Sequence, residues 1–287
     1  MKIAIHARKI SQDRFPYLQF LLSELQGRNA QVFLSQMLRD LLRDSPIRCD
    51  QFPVYETIPE VDFVISVGGD GTLLDTVTHV CDREFPILGI NIGRLGFLAT
   101  VSQDKIKEAI DALYSQHYSY DYRTLVAVDK DFPADGLNFA LNDLTIIKKD
   151  TSSMIGVHAY VDGAYLNAYW ADGLIIATPT GSTGYSLSCG GPVLAPQSSN
   201  LIITPISPHN LTVRPLVIPD DSVITVEIED REENRLLSLD SRSYPVTTHE
   251  KISIRKANFR VRLVKFEGYH FFNTLRQKLN WGLDVRN

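Results

Sequence analysis

Apolar residues follow one period in the first third of the chain and another beyond it. Residues 3–7 form a short, nearly continuous apolar run, and Leu18, Leu21, Leu22 and Leu25 then recur at helical spacing between Pro16 and Gly27. A second, β-branched run at 61–67 ends at a pair of glycines, after which the spacing predicts a helix over 72–80 and a strand over 86–92. Strands so continuously apolar suit a parallel sheet covered on both faces. Ser102 or Asp104 is placed to cap one more helix, with Ile106, Ala109, Ile110 and Leu113 as its stripe.

From about Tyr120 the pattern changes to short strands at 125–128, 140–147, 157–161, 165–170, 174–177, 222–229, 236–239, 251–255 and 260–264. Phe272, Leu275, Leu279 and Trp281 restore a helical spacing at the end. The predicted fold class is therefore an α/β N-terminal domain with a parallel sheet over 1–120, and a β-rich, sandwich-like domain over 121–265. A closing helical segment, 266–287, is expected to pack back on the first domain.

Composition narrows the partners. With 44% hydrophobic and 22% charged residues in 287, the chain is globular. A formal charge of -5 argues against a protein that holds nucleic acid by phosphate neutralisation. Cys49, Cys81 and Cys189 match neither a disulfide framework nor a metal-ligand spacing, so reduced thiols and no protein-held metal are expected. The opening apolar run is too short for a signal peptide, and none approaches the roughly 18 to 20 residues that span a bilayer. The expected location is the cytoplasm, with no membrane partner.

Chemistry concentrates in two glycine-rich stretches. Gly68-Gly69-Asp70-Gly71-Thr72 follows a buried strand and opens a helix, which sets Asp70 at the carboxyl edge of the sheet. Glycines there let backbone N–H groups approach a phosphate, and the helix N-terminus favours an anion. A carboxylate beside a phosphate is sensible if it accepts a hydroxyl proton or reaches a magnesium ion. The bland alternative is a tight turn in which Asp70 caps the helix. Neither a Walker motif nor a G-x-G-x-x-G fingerprint is present. A second cluster, Gly89 to Gly96, lies past the next strand, and Phe97 after it could face a flat ring or anchor the loop in the core.

The stretch from Asp172-Gly173 to Gly190-Gly191-Pro192 joins an apolar strand to a run of hydroxyls and glycines. Thr180 to Ser188 can cradle a nucleotide through hydroxyls and close backbone approach, or can be a Ser/Gly-rich surface loop. Asn142-Asp143 interrupts an apolar strand. The pair either satisfies buried backbone or forks onto a ribose diol.

With both stretches in view, the chain resembles the NAD kinase family from its first strand to the closing Phe272-to-Trp281 segment. Gly68-Gly69-Asp70-Gly71-Thr72 looks like the family's GGDGT motif, shared with diacylglycerol kinases and 6-phosphofructokinases. The Asp172-to-Pro192 stretch is similar to its more specific glycine-rich motif. The resemblance implies transfer of the γ-phosphoryl group of ATP to the adenosine ribose 2′-hydroxyl of NAD, giving NADP. It implies Asp70 as the catalytic base, within a nucleotide-contacting turn of Gly68, Gly69, Asp70, Gly71 and Thr72, with Phe97 nearby. Asn142, Asp143, Asp172, Thr180, Thr183, Gly184, Tyr185, Ser186, Leu187 and Ser188 become the NAD contacts. Where this chain has Asp143 and Gly184, the family pattern usually has Glu and Ala. The resemblance also implies Mg2+ or another divalent cation carried by ATP, a site in a cleft between the two domains, and a homodimer or homotetramer.

Overall fold

The computed structural model describes residues 1–129, 137–149, 154–229, 235–246 and 251–281. Contacts divide the chain into two units, 1–122 with 261–287, and 123–260.

In unit 1 the chain alternates β1 (Lys2–His6), α1 (Phe15–Gly27), β2 (Gln31–Ser35), α2 (Gln36–Leu42), β3 (Val54–Tyr55), β4 (Phe63–Gly68), α3 (Asp70–Val80), β5 (Ile87–Asn91), β6 (Val101–Ser102) and α4 (Ile106–Tyr114). The main strands are parallel and lie in the order β5-β4-β1-β2-β3. That order reverses direction between β1 and β4, the switch point outside which α/β sheets place ligands. Every residue of β4 is buried, which accounts for its unbroken apolar run. Leu18, Leu21, Leu22 and Leu25 of α1 and Ile106, Ala109, Ile110 and Leu113 of α4 join the strands in one core. β2 and α2 escape the sequence pattern: β2 offers only three consecutive apolar residues, and α2 buries only Leu38 and Leu42. What starts α2 is local, since Ser35 Oγ accepts the Leu38 amide at 3.2 Å. Ser102 precedes a 3-10 turn rather than capping α4 through its side chain.

Unit 2 is mainly antiparallel, with β7 (Ser119–Val128), β8 (Phe139–Ala140), β9 (Asp143–Lys148), β10 (Ile155–Val161), β11 (Ala164–Ala171), β12 (Gly173–Ala177), the short α5 (Tyr185–Ser188), β13 (Asn200–Ile206), β14 (Leu216–Pro219), β15 (Ile224–Glu229), β16 (Arg235–Leu239) and β17 (Arg242–Val246). One sheet runs β14-β13-β12-β9-β16-β17. The other carries the run β11-β10-β15-β18 (Lys251–Lys265), with β7 paired to β18 and β8 to β7. Leu144, Ile146, Leu174 and Ile176 of the first sheet share a core with Val157, Ala159, Ile224 and Val226 of the second, which is the sandwich expected. β18 replaces two predicted strands by one, because the half-exposed polar residues around Asn258 hide its continuity.

The closing helix α6 (Phe271–Leu279) belongs to unit 1, as its spacing predicts. Its Phe271 ring lies 6.1 Å from Phe97, and Lys278 Nζ sits 5.2 Å from the centre of the Phe97 ring. No helix among the described residues is long and apolar enough to cross a membrane.

Candidate active site

The predicted site residues fall into two groups, one in each unit. In unit 1 the turn between β4 and α3 is shaped by close packing. A Cβ on Gly68 would stand 2.3 Å from Thr72 Oγ1, so only glycine lets the helix begin there, whereas Gly69 and Gly71 face open space. Gly69 caps α3 without a side chain, which leaves Asp70 as the first helical residue. Its carboxylate does not cap its own helix. Oδ2 accepts the Phe97 amide at 2.7 Å, and Oδ1 accepts those of Leu98 and Ala99, each at 3.0 Å.

The loop after β5 is folded around that carboxylate. A Cβ on Gly96 would fall 1.9 Å from Asp70 Oδ1. Asn91 secures the start of the loop by accepting the Gly93 amide at 2.7 Å and donating to the Arg94 carbonyl at 2.7 Å. The two glycine clusters of unit 1 are thus joined through one side chain. Phe97 is half-buried beneath Lys278 and beside Phe271, so its ring anchors the loop to α6.

In unit 2, Asn142 occupies the break between β8 and β9, not the interior of a strand, and Asp143 opens β9. The break is held from the β16-β17 turn, where Asp240 adopts a left-handed φ of 55°. Asp240 accepts the amides of Leu141 at 2.9 Å, Asn142 at 2.8 Å and Asp143 at 3.3 Å. Sequence reasoning misses Asp240 because its partners lie about a hundred residues away and it belongs to no motif. Asp143 is 7% exposed, with Thr145 Oγ1 donating to Oδ1 at 2.9 Å. Burial pushes its carboxyl up to about 6; Thr145 opposes the shift and the Asp240 charge adds to it. Burial also pushes the Asp240 carboxyl up against the pull of its three amides.

The 178–191 segment winds tightly over that break. A Cβ on Gly181 would lie 2.0 Å from the Asn142 carbonyl oxygen, and one on Gly191 would lie 2.1 Å from Ser186 Oγ. Several of its hydroxyls are spent inside the protein: Thr178 donates to Leu141 O at 2.6 Å, Ser182 to Pro179 O at 2.7 Å and Thr183 to Thr180 O at 3.3 Å. Ser186 and Thr204 share a hydrogen bond at 2.8 Å, and Thr180 accepts from Arg123 at 3.2 Å. Tyr185 and Ser188 are exposed, Thr183, Gly184 and Leu187 partly so, and these carry the outward face. Asn142 Nδ2 and Asp143 Oδ2 converge on Gly184, each 3.9 Å from where a Cβ would sit. Asp172 pairs with Lys148 Nζ at 2.6 Å. Burial raises the Tyr185 phenol, and Cys189, Asp172 and Asp143 act on it in the same direction, so these side chains share one field.

A parallel sheet in 3-2-1-4-5 order with a Gly-Gly-Asp turn at its switch point, together with a β-sandwich bearing a glycine-rich helical turn, defines a nucleotide-dependent phosphotransferase. Family models narrow that class: the ATP-NAD kinase N-terminal domain matches residues 26–118 and the ATP-NAD kinase C-terminal domain matches residues 141–266. The chain belongs to the NAD kinase family. It is 47% identical over 292 residues to an NAD kinase of Cytophaga hutchinsonii and 44% identical over 294 residues to one of Flavobacterium psychrophilum, with 100% of each chain covered. Among solved structures, an Archaeoglobus fulgidus NAD kinase in complex with ATP is similar at a TM-score of 0.76 and 26% identity, covering 98% of this chain and 99% of the other. A yeast NADH kinase complexed with NADH shares the fold at a TM-score of 0.86 and 23% identity, covering 100% of this chain and 89% of the other.

Proposed function

We propose that the protein transfers the γ-phosphoryl group of ATP to the 2′-hydroxyl of the adenosine ribose of NAD, yielding NADP and ADP. The observation that carries this reading is Asp70, a carboxylate fixed at the sheet's switch point by three amides of the neighbouring glycine loop. Oδ2 accepts only one of those amides, which leaves it a lone pair for an incoming hydroxyl. The 2′-oxygen forms the new bond to phosphorus, its proton passes toward Asp70, and the bond from the γ-phosphorus to the bridging oxygen breaks to release ADP. Phosphoryl transfer gains most from such positioning.

The first unit, residues 1–122 with 261–287, takes the phosphate-handling role through Gly68, Gly69, Gly71 and Thr72. The β-rich unit takes the dinucleotide. Asn142 and Asp143 receive a ribose diol, with Asp172 and the outward face of 180–188 beside them; the Archaeoglobus relative's complex with ATP supports the donor assignment. Phe97 is assigned to the substrate side of its loop, with its ring already steadied by α6. Mg2+ or another divalent cation arrives on the triphosphate. Asp70 fits that arrangement, because a carboxylate already accepting three amides is not an open ligand set.

A cytoplasmic homodimer or homotetramer completes the reading, and sedimentation of the purified protein tests its size. Incubation with NAD, a divalent cation and a panel of donors (ATP, other nucleoside triphosphates, inorganic polyphosphate) tests the activity. NADP appearing with ATP is expected; no NADP with any donor would reject the enzymatic assignment.

A further inference from the structure

The same switch point carries a second constellation that the phosphoryl transfer leaves unused. His6 ends β1, and Asp75 and His79 are one turn apart on α3, so both helical side chains project from one face. One ligand atom from each of the three lies within 4.8 Å of the others. We propose that His6, Asp75 and His79 form a site for a single divalent transition-metal ion of the zinc class.

The unliganded geometry is half satisfied. His6 Nε2 donates to Asp75 Oδ2 at 2.8 Å, but His79 Nε2 stops 3.9 Å from the same oxygen, beyond hydrogen-bond range. The two imidazole rings lie 4.6 Å apart and tilted by 47°, so neither stacks squarely on the other. Two imidazoles thus converge on one carboxylate, and one hydrogen bond links the three groups to one another. With metal–ligand bonds of about 2.0–2.1 Å in a tetrahedral site, neighbouring donor atoms stand roughly 3.3 Å apart. Reaching that separation means opening the 2.8 Å contact and closing the 3.9 Å one, each by about half an ångström, and drawing together the two imidazole nitrogens, which lie within 4.8 Å of each other.

The surroundings suit a ligand set. His6 is fully buried, and its other nitrogen, Nδ1, lies 3.1 Å from Ser35 Oγ. When the metal takes Nε2, the ring proton moves to Nδ1 and Ser35 Oγ accepts it, the outer-sphere partner that fixes a ligating histidine's tautomer. Asp75 and His79 are 24% and 32% exposed, which leaves an outward side for water as the fourth ligand. Arg8 lies near enough for its charge to act on Asp75. The ion would tie β1 to the helix that begins with Asp70.

Metal uptake by nucleotide-free protein tests this independently of NADP formation. The chelator-treated full chain is titrated with Zn2+ and with Co2+, reading bound metal and the cobalt visible spectrum. One ion per chain is expected, with the absorption of a low-coordinate nitrogen and oxygen site and a raised melting temperature. His79→Ala and Asp75→Asn, both at partly exposed positions, are expected to weaken uptake by more than about 100-fold. Their melting temperatures without metal report whether they fold. His117→Ala, three residues beyond the end of α4, is expected to bind as the wild type does. Undiminished uptake by folded His79→Ala, or no uptake by the wild type, would overturn the proposal.

Discussion

Asp70 draws its position from residues that a motif search would pass over. Its oxygens accept the amides of Phe97, Leu98 and Ala99, and Gly96 leaves the room for them. Asp70→Asn is expected to lower kcat by about 10² to 10⁴, or about 3 to 5 kcal/mol of barrier. The asparagine amide would also face backbone donors, so a melting curve must accompany the kinetics. Gly96→Ala leaves Asp70 in the sequence but drives a methyl into its carboxylate; a comparable loss of kcat is expected, and an unchanged kcat would separate the loop from the chemistry. Asp143 makes a pH-dependent prediction. Its folded pKa of about 6 lies above the ordinary carboxylate value, so its contribution to stability is full below about pH 4 and lost as pH rises through about 6. Asp143→Asn should remove that slope from pH-dependent unfolding. NAD binding by the wild type should tighten over the same interval, as the ionised carboxylate becomes able to accept both ribose hydroxyls; calorimetry at pH 5 and pH 7 reads it.

Elements show where pattern suffices and where it stops. β1, β4 and β5 are buried on both faces and α1 and α4 on one, so burial wrote their period into the sequence. β2 and α2 owe their place to sheet pairing and to the Ser35 cap, neither of which leaves a long apolar period. The break at Asn142 was hidden for a related reason: the apolar residues on either side belong to two strands, and what separates them is Asp240. Glycines at the sites were legible as special, yet their reasons differ. Gly69 and Gly71 face open space, whereas Gly181 and Gly191 are required by packing. Gly191→Ala places a Cβ 2.1 Å from Ser186 Oγ and 2.8 Å from its carbonyl oxygen, and is expected to cost about 1 to 3 kcal/mol by overpacking. Urea midpoints measure it; Gly71→Ala, with nothing near its Cβ, serves as the neutral comparison.

For the molecule as a whole, the proposed reading rests the chemistry on two glycine-rich turns, one in each unit. Either alone is ambiguous: a Gly-Gly-Asp turn serves several kinase classes, and a Ser/Gly-rich turn can be mere surface. Family membership joins them, since both family models match and relatives align over the full chain. The sequence made the residue types visible; the partners that aim them, amides 97–99 in one unit and Asp240 in the other, are backbone and long-range contacts with no sequence signature. The most direct measurement is the product of one reaction. Purified protein is incubated with NAD, ATP and Mg2+, and the products are separated and read by phosphorus NMR, with Asp70→Asn alongside. The account predicts one NADP formed per ADP, with the new phosphate ester on the adenosine ribose 2′-oxygen and little product from the variant. ATP consumed without NADP, or phosphate placed on another hydroxyl, would contradict it.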